Sequence, residues 1–108
     1  MNEENKIPEL KDEELEKVSG GSHLSSDETK ALQYGDILII ENDLGINLGY
    51  CTYLGEYSDP GFGHLLQIKV EINKIYNASG TAKLGAVTLH EGDKTWLSRW
   101  DVDFPNRA

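Results

Sequence analysis

The fold is decided by residues 65–75, LLQIKVEINKI. Aliphatic and polar residues alternate along this stretch, and the aliphatic ones in phase are Leu66, Ile68, Val70 and Ile72. Because successive side chains of a β-strand point to opposite faces, the pattern predicts a strand with one dry face and one wet face. Ile75 breaks the alternation, which predicts either a bulge near Asn73 and Lys74 or a crossing of the strand to another sheet face.

Two further strands are predicted on the N-terminal side of this stretch. Residues 37–41 form a short apolar run, and residues 48–57 are rich in aromatic, β-branched and small residues. Residues 42–45, Asn-Asp-Leu-Gly, predict a turn between them. Residues 58–63 contain one proline and two glycines, so they predict a loop that reverses the chain.

On the C-terminal side the sequence predicts one hairpin. Its strands are residues 84–91 and 95–104, and the turn lies around Gly92. Trp96 and Trp100 share one face of the second strand, and their size predicts that they join the core.

These elements predict an all-β fold for residues 34–108. Five or six short antiparallel strands in a meander protect their edges best by curling into a small barrel, SH3-like in general shape. A short helical or disordered segment is expected at the N-terminus. Residues 22–33, rich in serine and charged residues, are interpreted as a flexible linker.

The net charge of −9 excludes two classes of partner. Residues 1–21 contain seven acids and three lysines, and the remaining residues contain 12 acids and seven bases. Both parts are therefore anionic, so nucleic acid and anionic membrane surfaces are not expected partners. The longest apolar run, residues 37–40, is too short to cross a membrane, so no stable membrane insertion is expected.

The first 21 residues have the pattern of an amphipathic helix. Pro8 suits the first turn, acids crowd the N-terminal half, and Gly20 provides a stop signal. Leu10, Leu15 and Val18 fall within about 140° of one another on a helical projection. A helix with so short an apolar stripe is not stable on its own in water. The stripe therefore predicts that the helix binds a groove on another molecule.

This stretch resembles the double-glycine leaders of bacteriocin-type and pheromone-type precursors of Gram-positive bacteria. Those leaders carry aliphatic residues twelve, seven and four places from the cut, an acid eight places from it, and two terminal glycines. Counting Gly21 as one, the matching residues are Leu10, Leu15, Val18, Glu14, Gly20 and Gly21.

The resemblance implies recognition by the peptidase domain of an ABC exporter, with Leu10, Glu14, Leu15 and Val18 as the recognised residues. Cleavage would follow Gly21, since glycines lack a Cβ and can thread a narrow protease cleft. The chain would be made in the cytoplasm and secreted after leader removal. Residues 22–108 would be the cargo, a bacteriocin-like, signalling or binding protein with an unidentified extracellular ligand.

Two alternatives remain open from the sequence. In the first, the chain is a cytosolic β-barrel binding module whose uncleaved amphipathic N-terminus engages a partner. In the second, Cys51 acts with His64 or His90 and an acid as a thiol hydrolase. No helix N-terminus adjoins Cys51 to lower its pKa, so the sequence favours a protein that is not an enzyme.

Candidate ligand sites within the cargo are few. His90, Glu91 and Asp93 straddle a turn and alternate faces, which argues against a metal site, and no cofactor is expected. Tyr53 and Tyr57 share a strand face with glycines, so either they pack in the core or they form a flat aromatic platform for a peptide or sugar.

Overall fold

The computed structural model describes residues 23–60 and 66–106, whose regular structure is mostly β. A short α-helix, Ser26–Lys30, and a 3-10 helix, Arg99–Asp101, are the helical elements there. The strands are β1 Ile37–Glu41, β2 Asn47–Ser58, β3 Gln67–Ile75, β4 Thr81–Leu84, β5 Val87–His90, β6 Lys94–Ser98 and β7 Val102–Asp103, and α1 spans Ser26–Lys30. The predicted all-β class is confirmed.

Five strands form one antiparallel sheet in the order β6-β3-β2-β1-β7. Strands β6 and β7 lie at opposite edges of this sheet, yet only the three residues of the 3-10 helix separate them in the chain. Because this connection is so short, the two edges lie close together, and the sheet must therefore curl. Strands β4 and β5 pair as a separate two-stranded hairpin.

The inner face of the curled sheet carries the hydrophobic core. The predicted alternation in β3 is confirmed, because Ile68, Val70 and Ile72 are fully buried in this core, and Leu66, just before the strand, is fully buried as well. The other strands add inward residues from the same face, namely Leu38, Ile40, Cys51, Tyr53, Leu97 and Val102. At about 1.5–3 kcal/mol for each buried large aliphatic side chain, this face supplies most of the hydrophobic stabilisation.

The predicted bulge in β3 is also confirmed. Tyr50 pairs with Lys74 and Cys51 pairs with Ile72, so Asn73 is the extra residue. Its side-chain carbonyl oxygen accepts a hydrogen bond of 2.7 Å from the Thr52 hydroxyl. A Cβ at Gly49 would collide with the Lys74 backbone carbonyl, so glycine allows the two strands to approach there.

The predicted C-terminal hairpin is wrong. Gly85 adopts a positive φ of 64°, and the chain turns there, so β4 pairs with β5. A second turn then delivers β6 to the edge of β3 rather than to β5. The last predicted strand is itself interrupted, because the Ser98 side chain accepts a hydrogen bond from the Trp100 amide and begins the 3-10 helix.

Among residues 23–60 and 66–106, no helix combines the length and the apolar character needed to cross a bilayer.

Candidate functional site

The predicted leader residues Leu10, Glu14, Leu15 and Val18, and the predicted cleavage site Gly20-Gly21, lie outside the described residues. The structure describes the chain from His23, two residues beyond the predicted cut. The His23 ring lies against the Trp100 ring, with their centroids 4.2 Å apart. The chain is therefore in contact with the domain at His23, the first described residue.

Leu24 anchors this segment to the barrel. Its side chain is fully buried in the core, and its amide donates to the carbonyl oxygens of Arg99 and Val102, each at 3.2 Å. The Arg99 guanidinium donates in return to the Leu24 carbonyl oxygen at 2.8 Å and lies 4.1 Å from the Trp100 ring centroid. Backbone and side-chain hydrogen bonds together hold Leu24 against Arg99 and Val102, where the chain joins the domain.

Residues 23–33, which the sequence analysis assigned to a flexible linker, are a packed part of the domain. Helix α1 begins with a capping box, in which the Ser25 hydroxyl accepts from the Glu28 amide and the Glu28 carboxylate accepts from the Ser25 amide. Thr29 is fully buried, and Lys30 forms an ion pair with Asp59 at 3.1 Å. The serine-rich composition resembled a linker, but its S-x-x-E pattern is a helix-start signal.

The two tyrosines of the predicted platform do not share an exposed surface. Tyr53 is 3% exposed and packs in the core, whereas Tyr57 is 44% exposed. The strand irregularity between them separates their environments. Burial, and then the nearby Tyr57, Glu56 and Asp36, raise the pKa of the Tyr53 hydroxyl.

The two tryptophans predicted to be in the core lie at the surface instead. Trp96 is opposite Lys69 on the outer face of the sheet, and it is Leu97 that points inward, opposite Ile68. The Lys69 ammonium lies 5.5 Å from the Trp96 ring centroid. Trp100 belongs to the 3-10 helix and is covered only in part, by His23 and Arg99.

Cys51 lies in the core and is unsuited to nucleophilic chemistry. It is fully buried on the inner face, opposite Leu38 in β1 and Ile72 in β3. Burial in this apolar setting raises the pKa of the thiol far above its ordinary value, so the thiolate is not formed at neutral pH. This argues against the thiol-hydrolase hypothesis.

The acids near His90 have a structural role. A Glu91 carboxylate oxygen accepts a hydrogen bond of 3.0 Å from the Ile75 amide, at the end of β3 beside the bulge. The backbone carbonyl of Asp93 accepts from the Ile72 amide at 2.8 Å. Within the described residues, no three His, Cys, Asp or Glu side chains are grouped so that they could hold a metal ion.

The structure presents a groove that sequence analysis did not identify. It has a volume of about 370 Å³ and lies where the β1–β2 turn, the β4–β5 turn and the 3-10 helix meet. Its lining residues are Asn42, Asp43, Leu44, Leu84, Gly85 and Asp101. A groove of this size is at the small end of the range for ligand sites.

The Asn42 side chain shapes one wall of this groove. Its carbonyl oxygen accepts hydrogen bonds from the Leu44 amide at 2.9 Å and the Ile46 amide at 3.0 Å. This closed turn holds the Leu44 side chain away from the core, where it is 81% exposed. Val87, which pairs with the lining residue Leu84, is also about half exposed, so the groove has an apolar rim at Leu44 and Val87.

Two carboxylates give the groove its charge. Neither Asp43 nor Asp101 makes a hydrogen bond through its side chain, or an ion pair, with another residue of the described ranges. Partial burial, and then the charge of Asp43, raise the pKa of the Asp101 carboxyl. The groove therefore carries negative charge that residues 23–60 and 66–106 do not neutralise.

A further carboxylate lies buried beside the groove. Glu41 directly precedes the groove residue Asn42, is 2% exposed, and has no hydrogen-bond partner for either carboxylate oxygen among the described residues. Burial, and then the charge of Asp103, raise the pKa of Glu41. Asp103 is itself fully buried, and one of its oxygens accepts from the Phe104 amide at 2.8 Å. Glu41 and Asp103 therefore form a pair of buried carboxylates at the end of β1.

Comparison with protein-family models, with curated proteins and with solved structures found no match to this chain.

Proposed function

We propose that this chain is the precursor of an exported bacterial protein. Residues 1–21 are the leader, which the peptidase domain of an ABC exporter recognises through Leu10, Glu14, Leu15 and Val18 and cuts after Gly21. Residues 22–108 are the cargo, a small β domain that is not an enzyme and binds a ligand outside the cell.

One observation supports this division of the chain more than any other. Leu24, the third residue after the proposed cut, is fully buried and hydrogen-bonded to the barrel. Removal of residues 1–21 would leave those contacts in place, so the mature domain would keep its core. The leader motif and the packed domain are therefore adjacent, with Ser22 between the cut and the first contact at His23.

The same packing supports the alternative of an uncleaved cytosolic binding module. A protease must accommodate residues on both sides of the bond it cuts, and His23 already lies against Trp100. A cut after Gly21 therefore requires the exporter peptidase to approach the barrel closely or to release His23. If neither occurs, the N-terminus stays attached and serves to engage a partner.

Cleavage of the full chain by the peptidase domain of an exporter from the same genome tests the proposal. Intact mass measurement should show a product that begins at Ser22. Gly20→Val should block the reaction by adding bulk in the cleft, and Leu15→Asp should block it by placing a charge in the docking groove. Glu16→Gln, which changes one charge on the opposite side of the same helical projection, is the matched control and should be cut normally.

Cleavage at another bond, or indifference to both Gly20→Val and Leu15→Asp, would contradict the leader assignment. A wild-type chain that is not cut, while Trp100→Ala is cut, would show that the packing of His23 protects the bond and would favour the uncleaved module.

A further inference from the structure

We propose that the groove between the β1–β2 turn and the β4–β5 turn binds a short cationic peptide segment, in which an aliphatic side chain adjoins an arginine or lysine. This site goes beyond the export function and does not depend on leader removal. Its parts come from three separate regions of the chain, around Leu44, Leu84 and Asp101.

The charge of the groove selects a cation. Asp43 and Asp101 both line it, and neither is compensated by a hydrogen bond or ion pair of its side chain within the described ranges. A guanidinium or ammonium group would relieve the repulsion between these carboxylates and form charge-assisted hydrogen bonds.

The rim of the groove selects an aliphatic neighbour for that cation. Leu44 is 81% exposed, and Val87, the strand partner of the lining residue Leu84, is 53% exposed. A large apolar side chain held in solvent beside a groove gains by packing against a ligand. A bare inorganic cation would leave this apolar surface uncovered.

Net charge disfavours two occupants that this chain could itself provide. The first 21 residues carry seven acids against three lysines, so the groove repels that segment on balance. A second copy of the chain, with its net charge of −9, is repelled in the same way. Net charge therefore favours a separate, basic molecule as the ligand.

Binding of a defined peptide to the full chain tests this site. The probe is acetyl-Leu-Arg-Leu-amide, and the matched control replaces arginine with citrulline, which has nearly the same shape and no charge. Isothermal titration should show binding of the arginine peptide and at least about tenfold weaker binding of the citrulline peptide. The affinity for the arginine peptide should fall as NaCl is raised.

Variants then place the binding in the groove. Asp43→Asn and Asp101→Asn should each weaken binding about three- to tenfold, and neither should impair folding, because each removes a repulsive charge. Glu56→Gln is the charge-matched control, since Glu56 lies roughly 25–30 Å along β2 from the groove and should leave affinity unchanged. Leu44→Ala should weaken both peptides equally, about threefold, because it removes apolar contact and no charge.

Amide chemical shifts should change at residues 42–46, 84–87 and 101 when the arginine peptide is added. Absence of binding, equal binding of the arginine and citrulline peptides, or full affinity in both aspartate variants would overturn the proposal. Shift changes confined to the Trp96 surface would place the peptide elsewhere and would overturn it as well.

Discussion

The two faces of the five-stranded sheet are built by alternate residues of the same strands, yet they differ in how completely they are covered. The inner face is uniformly dry from Leu38 in β1 to Leu97 in β6. The outer face is dry at β1, where Ile39 is fully buried, and partly open at β3 and β6, where Trp96 is 38% exposed. Alternation in a strand therefore reports one covered face, whereas a continuous apolar run such as β1 reports two.

The largest expected effect comes from the inner face. Ile68→Ala should lower the free energy of unfolding by about 2–4 kcal/mol, because Ile68 is fully buried between neighbours on β2 and β6 and its truncation leaves a cavity. Urea titration of the full chain measures the change. Val70→Ala, at an equally buried position, should give a loss of the same order.

A loss below about 1 kcal/mol for both variants would contradict the assignment of this face to the core.

The sequence predicted the inner face better than any other part of the molecule. Strands β1 to β3 carry strong local patterns, and the bulge at Asn73 follows from the phase break at Ile75. The prediction for the C-terminal region is wrong because the large size of Trp96 favours a place in the core. The register with β3 instead places it beside Lys69, whose ammonium covers part of the ring.

The candidate groove could not be predicted, because topology alone brings its parts together. The lining comes from three segments that are far apart in sequence, residues 42–44, 84–85 and 101. None of these segments has a local pattern that indicates a binding site. The helix within residues 23–33 could have been predicted, since Ser25 and Glu28 have the spacing of a capping box. The burial of Leu24 could not have been predicted from the sequence, because it depends on the position of Arg99, which is distant in the chain.

An intermediate effect of opposite sign is expected at the closed part of the outer face. Glu41→Gln should raise the free energy of unfolding at pH 7.5 by about 1 kcal/mol, because it removes a buried charge that has no hydrogen-bond partner among the described residues. The folded-state pKa of Glu41 is raised, so the native protein binds this proton more readily than the unfolded chain. The wild type should therefore gain stability from Glu41 as the pH falls through that pKa, and the variant should lack that gain.

Urea titrations at pH 7.5 and 5 for wild type, Glu41→Gln and the exposed control Glu56→Gln measure both parts of this expectation. A loss of stability in Glu41→Gln at pH 7.5, with no change in the control, would mean that the Glu41 charge is held by a favourable interaction. The outer face would then be polar rather than dry at β1.

The smallest expected effect lies at the open part of the outer face. Lys69→Ala should change the free energy of unfolding by no more than about 0.5 kcal/mol, because the cation–π contact with Trp96 is partly exposed and the inner face is untouched. Glu71→Ala, two residues along the same wet face, should have an equally small effect, and Lys69→Arg should keep the contact.

Urea titration in low and high salt separates the charge contribution from packing, since only the former is screened. A loss above about 1 kcal/mol in Lys69→Ala that persists in high salt would show that the lysine stem covers buried apolar surface. In that case the outer face would be closed at β3 and β6 as well as at β1, and the difference between the two faces would disappear.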